Sequence, residues 1–302
     1  MACLLVLGIW LLLDGTRRHA LPWGLAARIG LPLAAISLAG TAVSFPLLFS
    51  NYDTAFPLQS FDVVLLTGLV IAALGLFVAL ACGAAIILAL RPDAVAVFRR
   101  AERRRLSLDA VFAAGLAAVG VAALDRLQWL LIDRFHPQAL LSVSAQMSYG
   151  TAAAALPGLA GASQSALFWL ALLALIVYAV GSLGRWPGAA MLAGLLAAAA
   201  FVPSGVHNGG ELSLYFVITL VWLAAGVMFV KYFARANYLA YLLTVWTLAL
   251  LERAADLLAQ PAAALRLQGA LLIALLLATL LWAVAPALDR RKPITMVVRN
   301  PD

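Results

Sequence analysis

The side chains that could do chemistry are few, and they bunch. Glu252, Arg253 and Asp256 fall within one helical turn, Glu252 and Asp256 at i, i+4 and Arg253 and Asp256 at i, i+3. Asp125-Arg126 and Asp133-Arg134 form a second group. Eight residues of helix amount to about 80° of net rotation, so both pairs lie on one side. His207, Asn208 and Glu211 form a third group in a short polar stretch. An isolated charge at the centre of a membrane helix costs roughly 2.5–3.5 kcal/mol on insertion scales, so these groups must pair or face water. Two readings stand. In one, the groups line an outward-facing polar cavity that holds a substrate or ligand. In the other, they are helix ends at headgroup level, salt-bridged and structural.

Other chemistries find less support. His136, His207, Glu211 and Glu252 are the residues that could approach a metal, but no HExxH and no His pair at helical spacing is present, so no metal site is expected. Haem is disfavoured because the only histidines, His19, His136 and His207, avoid the centres of apolar runs. Ser204 precedes His207 by three residues, which loop turn chemistry explains without a catalytic site. Glu211 suits the N-terminus of a helix, where the dipole favours an acid. Cys3 and Cys82 make no metal pattern and no disulfide is expected. No Gly-rich phosphate loop is present, and no cofactor is expected.

The elements that position these residues are membrane spans. The chain has 302 residues, 65% hydrophobic and 11% charged, with mean hydropathy +1.03. Soluble domains carry about 25% charged residues. Several apolar runs reach the ~20 residues needed to cross a bilayer, and none has the short alternation of barrel strands. The expected fold is all-α: a polytopic transmembrane helical bundle of about nine spans, one domain over 1–288 with a basic tail at 289–302. The net charge of +7 reflects inward-facing loops and not nucleic-acid binding. Lys231 and Lys292 are the only lysines among 20 basic residues. That bias suggests a GC-rich bacterial genome, hence a multi-pass protein of the bacterial inner membrane with the lipid bilayer and other membrane subunits as its partners.

The direction of every span follows from 91–109, RPDAVAVFRRAERRRLSLD, which is held on the cytoplasmic side by the positive-inside rule. The run 2–13 reads as a short or truncated first helix, without a signal peptide's basic n-region and cleavage site, and 14–19 (DGTRRH) as an inner turn. Span two is 24–49, with Pro32 near its inner end; an outer loop follows at 50–62. Span three is 63–90, where Gly68, Gly75 and Gly83 recur near one face and suggest close helix packing. Span four starts at Ala110 and turns polar at 125–137. The stretch 133–165 is an outer loop, interfacial helix or re-entrant segment, Ala/Ser/Gly-rich over 138–164 with Pro157. Spans five and six are 166–183 and 188–202, joined by an inner turn GRWP. The outer loop 203–213 leads to span seven, 214–233, and span eight runs from Tyr238 to about Ala259. An outer connection, 261–268, leads to span nine, 269–288. The N-terminus is then outside and the C-terminus cytoplasmic. Of the basic residues, only Arg126, Arg134, Arg253 and Arg266 fall away from inner ends. Arg99, Arg100, Arg103, Arg104 and Arg105 are candidates for anionic lipid headgroups, or serve as a topology signal alone.

Two patches carry a resemblance. Tyr52-Asp53-Thr54 with Pro57 and Phe61, and Phe233, Arg235, Asn237 and Leu239-Ala240-Tyr241, resemble segments of bacterial proteins grouped with the CAAX-protease-like (CPBP) intramembrane peptidases. That family's paired-glutamate motif has no counterpart here, since no Glu-Glu occurs and Glu252-Arg253 does not fit it. The resemblance therefore implies a non-catalytic branch and assigns no catalytic residue. Three functions follow from these readings: a non-enzymatic membrane-embedded subunit or anchor, a small-molecule or lipid transporter with a cavity between spans four and eight, and a CPBP-like hydrolase. Reporter fusions after residue 302 should be fluorescent as green fluorescent protein and inactive as alkaline phosphatase, because the tail is expected inside.

Overall fold

The structure, a computed structural model, describes residues 2–18, 21–43, 57–135, 153–183, 209–234 and 237–288. Every described element is helical: α1 (Ala2–Arg17), α2 (Trp23–Val43), α3 (Leu58–Leu90), a 3-10 segment (Pro92–Phe98), α4 (Arg100–Phe135), α5 (Ala155–Leu183), α6 (Gly209–Phe229) closed by a π turn (Val230–Ala234), α7 (Tyr238–Leu258) and α8 (Ala263–Leu288). Six helices are long and apolar enough to cross a membrane: α2, α3, α4, α5, α6 and α8. They correspond to expected spans two, three, four, five, seven and nine. Of the other three, α1 has only 16 residues, under the ~20 a span needs. The sixth, 188–202, lies outside the described residues. The eighth is α7, a 21-residue helix that carries Glu252, Arg253 and Asp256 and is not among the six.

Several boundaries differ from expectation, each for a local reason. The turn at 14–19 is helix as far as Arg17, held by an Arg18–Asp14 pair at 3.0 Å and the Thr16 hydroxyl donating to Leu12 O. α3 starts at Leu58, inside the expected outer loop, because extended Pro57 caps it and its carbonyl accepts from Ser60 and Phe61. Half of the basic loop is helix. Beyond Pro92 nothing in it breaks a helix, and Arg and Leu are good helix formers, so α4 runs 36 residues from Arg100. At 1.5 Å per residue that is about 54 Å, well beyond a ~30 Å hydrocarbon core, so its ends project past the core. Of the stretch 133–165, residues 136–152 lie outside the described residues, and 155–165 are helix, because α5 starts at Ala155 and continues through the expected fifth span. Pro157 sits in its first turn, where a missing N–H is tolerated. The connection at 261–268 shrinks, because α8 begins at Ala263.

Helix α7 is the axis of the bundle, packed against α4, α5 and α8. Leu239, Leu243, Leu250 and Leu257 are fully buried along it, with Ala240 and Ala254 between them. Asn237 sets its start: the side chain accepts from Ala240 N at 3.1 Å and donates to Leu106 O of α4 at 3.0 Å. Helix α5 joins this group to a second one, in which α2 packs against both α3 and α5. Small residues bring these backbones close. Ala26, Gly30, Ser37 and Gly40 are the buried residues of α2. A Cβ on Gly30 would sit 3.1 Å from Ala81 N, and one on Gly40 would sit 3.2 Å from the Pro157 Cα. Lipid tails are as apolar as leucine, so such contact, and not expulsion from water, holds spanning helices together.

On the expected glycine face of α3, nothing among the described residues lies within 4 Å of a Cβ on Gly68 or Gly75, while one on Gly83 would touch Leu167 of α5 at 3.6 Å. At Gly269 of α8 a Cβ would meet Ala254 O and Leu258 N of α7 at 3.1 Å. Gly269→Ala should therefore lower stability by about 1–3 kcal/mol. Gly68→Ala and Gly75→Ala should be neutral or stabilising by up to about 1 kcal/mol. Thermal unfolding followed by size-exclusion chromatography in detergent separates these outcomes.

Candidate functional site

Helix α7 delivers its three charges to one end, because its first four turns are apolar or threonine and its last two carry Glu252, Arg253 and Asp256. Glu252 is exposed. Arg253 reaches Asp256 at 4.0 Å, with the arginine side chain 23% exposed and the carboxylate 41%. At that distance and exposure the pair contributes no more than about 1 kcal/mol. The rest of Arg253 packs on α5. A Cβ on Gly158 would sit 3.8 Å from Arg253 Cβ, and one on Gly161 would sit 3.6 Å from its Nε. Two glycines one turn apart thus open a trough in α5 that Arg253 fills together with Leu272 of α8, whose Cδ1 would sit 3.3 Å from a Cβ on Gly158.

The same corner ties three helix ends. Gln268 of α8 accepts from the backbone N–H of Ala155 at 2.8 Å, which satisfies an orphan donor at the start of α5. Gln260 donates to Asp256 O at 3.2 Å near the end of α7. Around this corner lie Ala154, Ala162, Leu250, Leu257, Leu272 and Leu276, a separate buried cluster. This is the polar constellation that the fold assembles, and its contacts are those of a brace.

The α4 groups stand apart from it. Asp125, Arg126, Asp133 and Arg134 are all exposed. Arg126 lies 5.8 Å from the ring of Trp129 on its own helix. Helices α4 and α7 pack directly on each other, and among the described residues no contact joins Asp125 or Arg126 to Glu252 or Asp256. Glu211 is buried in the first turn of α6, as suits an acid at a helix start. His207, Asn208 and His136 lie outside the described residues. Among the described residues no group of three His, Cys, Asp or Glu is placed to hold a metal ion.

Two features had no sequence signal. A cavity of about 400 Å³ lies between α1, α3 and α5, lined by apolar side chains apart from Cys82 and Gln164. On the opposite side of the chain's order, Arg103 of α4 stacks on Trp282 of α8, its guanidinium carbon 4.1 Å from the ring centroid. Of the headgroup candidates, Arg99, Arg100 and Arg105 are exposed and Arg103 and Arg104 are half-buried.

Arg253→Ala should cost about 1–3 kcal/mol, because it empties part of the trough and strips a packed side chain. Glu252→Ala, one residue away and exposed, should stay within about 0.5 kcal/mol. Unfolding midpoints of the two variants in one detergent check the difference.

No family model, no curated protein and no solved structure matches this chain.

Proposed function

We propose that the chain is a bacterial inner-membrane protein that acts as a non-enzymatic subunit or anchor. It crosses the bilayer nine times, with α1, α7 and 188–202 added to the six apolar helices, the N-terminus outside and the C-terminus in the cytoplasm. The observation that carries the subunit reading is the exposure of α6. Apart from its own π turn, it meets the described bundle through α4, with Trp222 Nε1 donating to Gln128 Oε1 at 3.0 Å. Leu212, Val217, Val221, Val227 and Met228 are left exposed. Among the described residues α6 packs on the long helices through α4, and its exposed apolar face is available to other membrane helices.

A second reading is transport of a small molecule or lipid. It draws on the exposed Asp125 and Glu252 near the ends of α4 and α7, and it requires them to face one water-filled path. Native mass spectrometry after gentle extraction from the native membrane separates the two. A stoichiometric protein partner is the expected result. Photo-crosslinkers at Val217 and Val221 should then capture that partner, while one at buried Ile218 should not. A lone chain with a retained small molecule would move the weight to transport and overturn the subunit reading.

A further inference from the structure

The arginine cluster at the start of α4 has more structure than a topology signal needs. Orientation requires only positive charge near the inner surface. Here Arg103 is stacked at 4.1 Å on the indole of Trp282, a residue far along the chain on α8. Its Nε is buried and, among the described residues, has no hydrogen-bond partner. An unsatisfied donor on a charged group is destabilising. Stacking fixes the guanidinium plane, and because the residue is only half-buried, contact with an anion falls to its exposed part.

The neighbours add to the same need. Arg99, extended, immediately precedes α4, and the backbone N–H of Arg103 donates to its carbonyl at 3.0 Å, which holds the two residues one turn apart at the helix start. Arg99 is exposed. Arg91, Arg100, Arg104 and Arg105 lie close in sequence, and the acid in the first turn is Glu102. The positive end of the α4 dipole lies among them. An anion placed between Arg99 and Arg103 would lower this accumulated potential, and guanidinium groups favour planar, bidentate contact with phosphate.

What lies beside the cluster selects the kind of anion. Phe98 is exposed and its ring lies 6.5 Å from that of Trp282. On α8, Leu271, Leu275 and Trp282 fall on one face at spacings of four and seven, and all three keep exposed surface. From Trp282 that apolar face runs about 16 Å up the helix. The arrangement is therefore a charged head position, an aromatic collar and a straight apolar track, the shape of a phospholipid and not of a free ion.

We propose that Arg99, Arg103 and Trp282 bind the phosphate of an anionic phospholipid, with Phe98 beside the glycerol region and an acyl chain along Leu275 and Leu271 of α8. The proposal rests on the chain spanning a membrane and is independent of the subunit role.

The test uses the full chain purified in neutral detergent, with phosphatidylglycerol or phosphatidylcholine titrated in, read by native mass spectrometry and by thermal shift. Phosphatidylglycerol should bind at one saturable site and raise the unfolding temperature, and phosphatidylcholine should do neither. Arg99→Gln with Arg103→Gln should weaken phosphatidylglycerol binding roughly tenfold or more, at about one arginine's headgroup attraction each. Arg17→Gln with Arg18→Gln removes the same charge elsewhere and should leave binding unchanged. Arg103→Lys keeps the charge without the planar fork and should also bind more weakly. If the double glutamine variant fails to fold, Arg103→Lys decides alone. Equal weakening by the Arg17/Arg18 variant, or native binding by Arg103→Lys, would reduce the effect to diffuse charge and overturn the site. Saturation by inorganic phosphate with displacement of the lipid would make it a free-anion site and overturn the lipid assignment.

Discussion

The fold depends on enclosing α7. It gives four fully buried leucines to contacts with α4, α5 and α8. In a bilayer there is no gain from hiding leucine as such. The gain comes from dispersion between closely fitted atoms, which is why glycine and alanine line the contacts. Gly269 lets α8 rest on the α7 backbone, and Gly30 and Gly40 do the same for α2 on α3 and α5. Asn237 places the helix vertically, since one amide both caps α7 and reaches Leu106 of α4.

Enclosing α7 also disposes of the charges at its far end. Arg253 lies in the trough of Gly158 and Gly161, Asp256 pairs with it and Glu252 is left outside. A charged group that braces three helix ends costs less than one that faces hydrocarbon. Arg253, one of the residues read in the sequence as lining a cavity or closing a helix end, packs against α5. The patch at 233–241, which resembles CPBP proteins, has an equivalent physical account, because its Asn237 is the cap and its Leu239 and Ala240 are core. Such residues recur wherever a helix must start at a fixed depth.

At the other end of α4 charge is handled differently. There, arginines outnumber acids, the helix dipole adds to them, and an aromatic side chain from α8 takes up one guanidinium face. The two ends of one long helix thus meet two polar surroundings. One is braced by protein, and at the other an arginine is held by an aromatic ring of α8.

Composition and the length of the apolar runs were enough to determine a multi-pass helical protein, because a bilayer admits only continuous helices of that length. Six of the expected spans coincide with apolar helices, and the charge at 91–109 marks one end of α4 and α7. Helix ends were less legible. Pro57 and Pro157 read as loop residues, yet both lie at helix starts, where proline is favoured. The glycines of α3 show the deeper limit. Gly68, Gly75 and Gly83 share a spacing, but among the described residues only Gly83 meets another helix, and the closely packed glycines at 30, 40, 158, 161 and 269 carry no signal that separates them. The stacking of Arg103 on Trp282 and the seating of Arg253 against α5 were likewise decided by tertiary structure. Periodicity records which residues share a face of one helix, while contact depends on which neighbour that face meets and at what height, and only the packed bundle sets these.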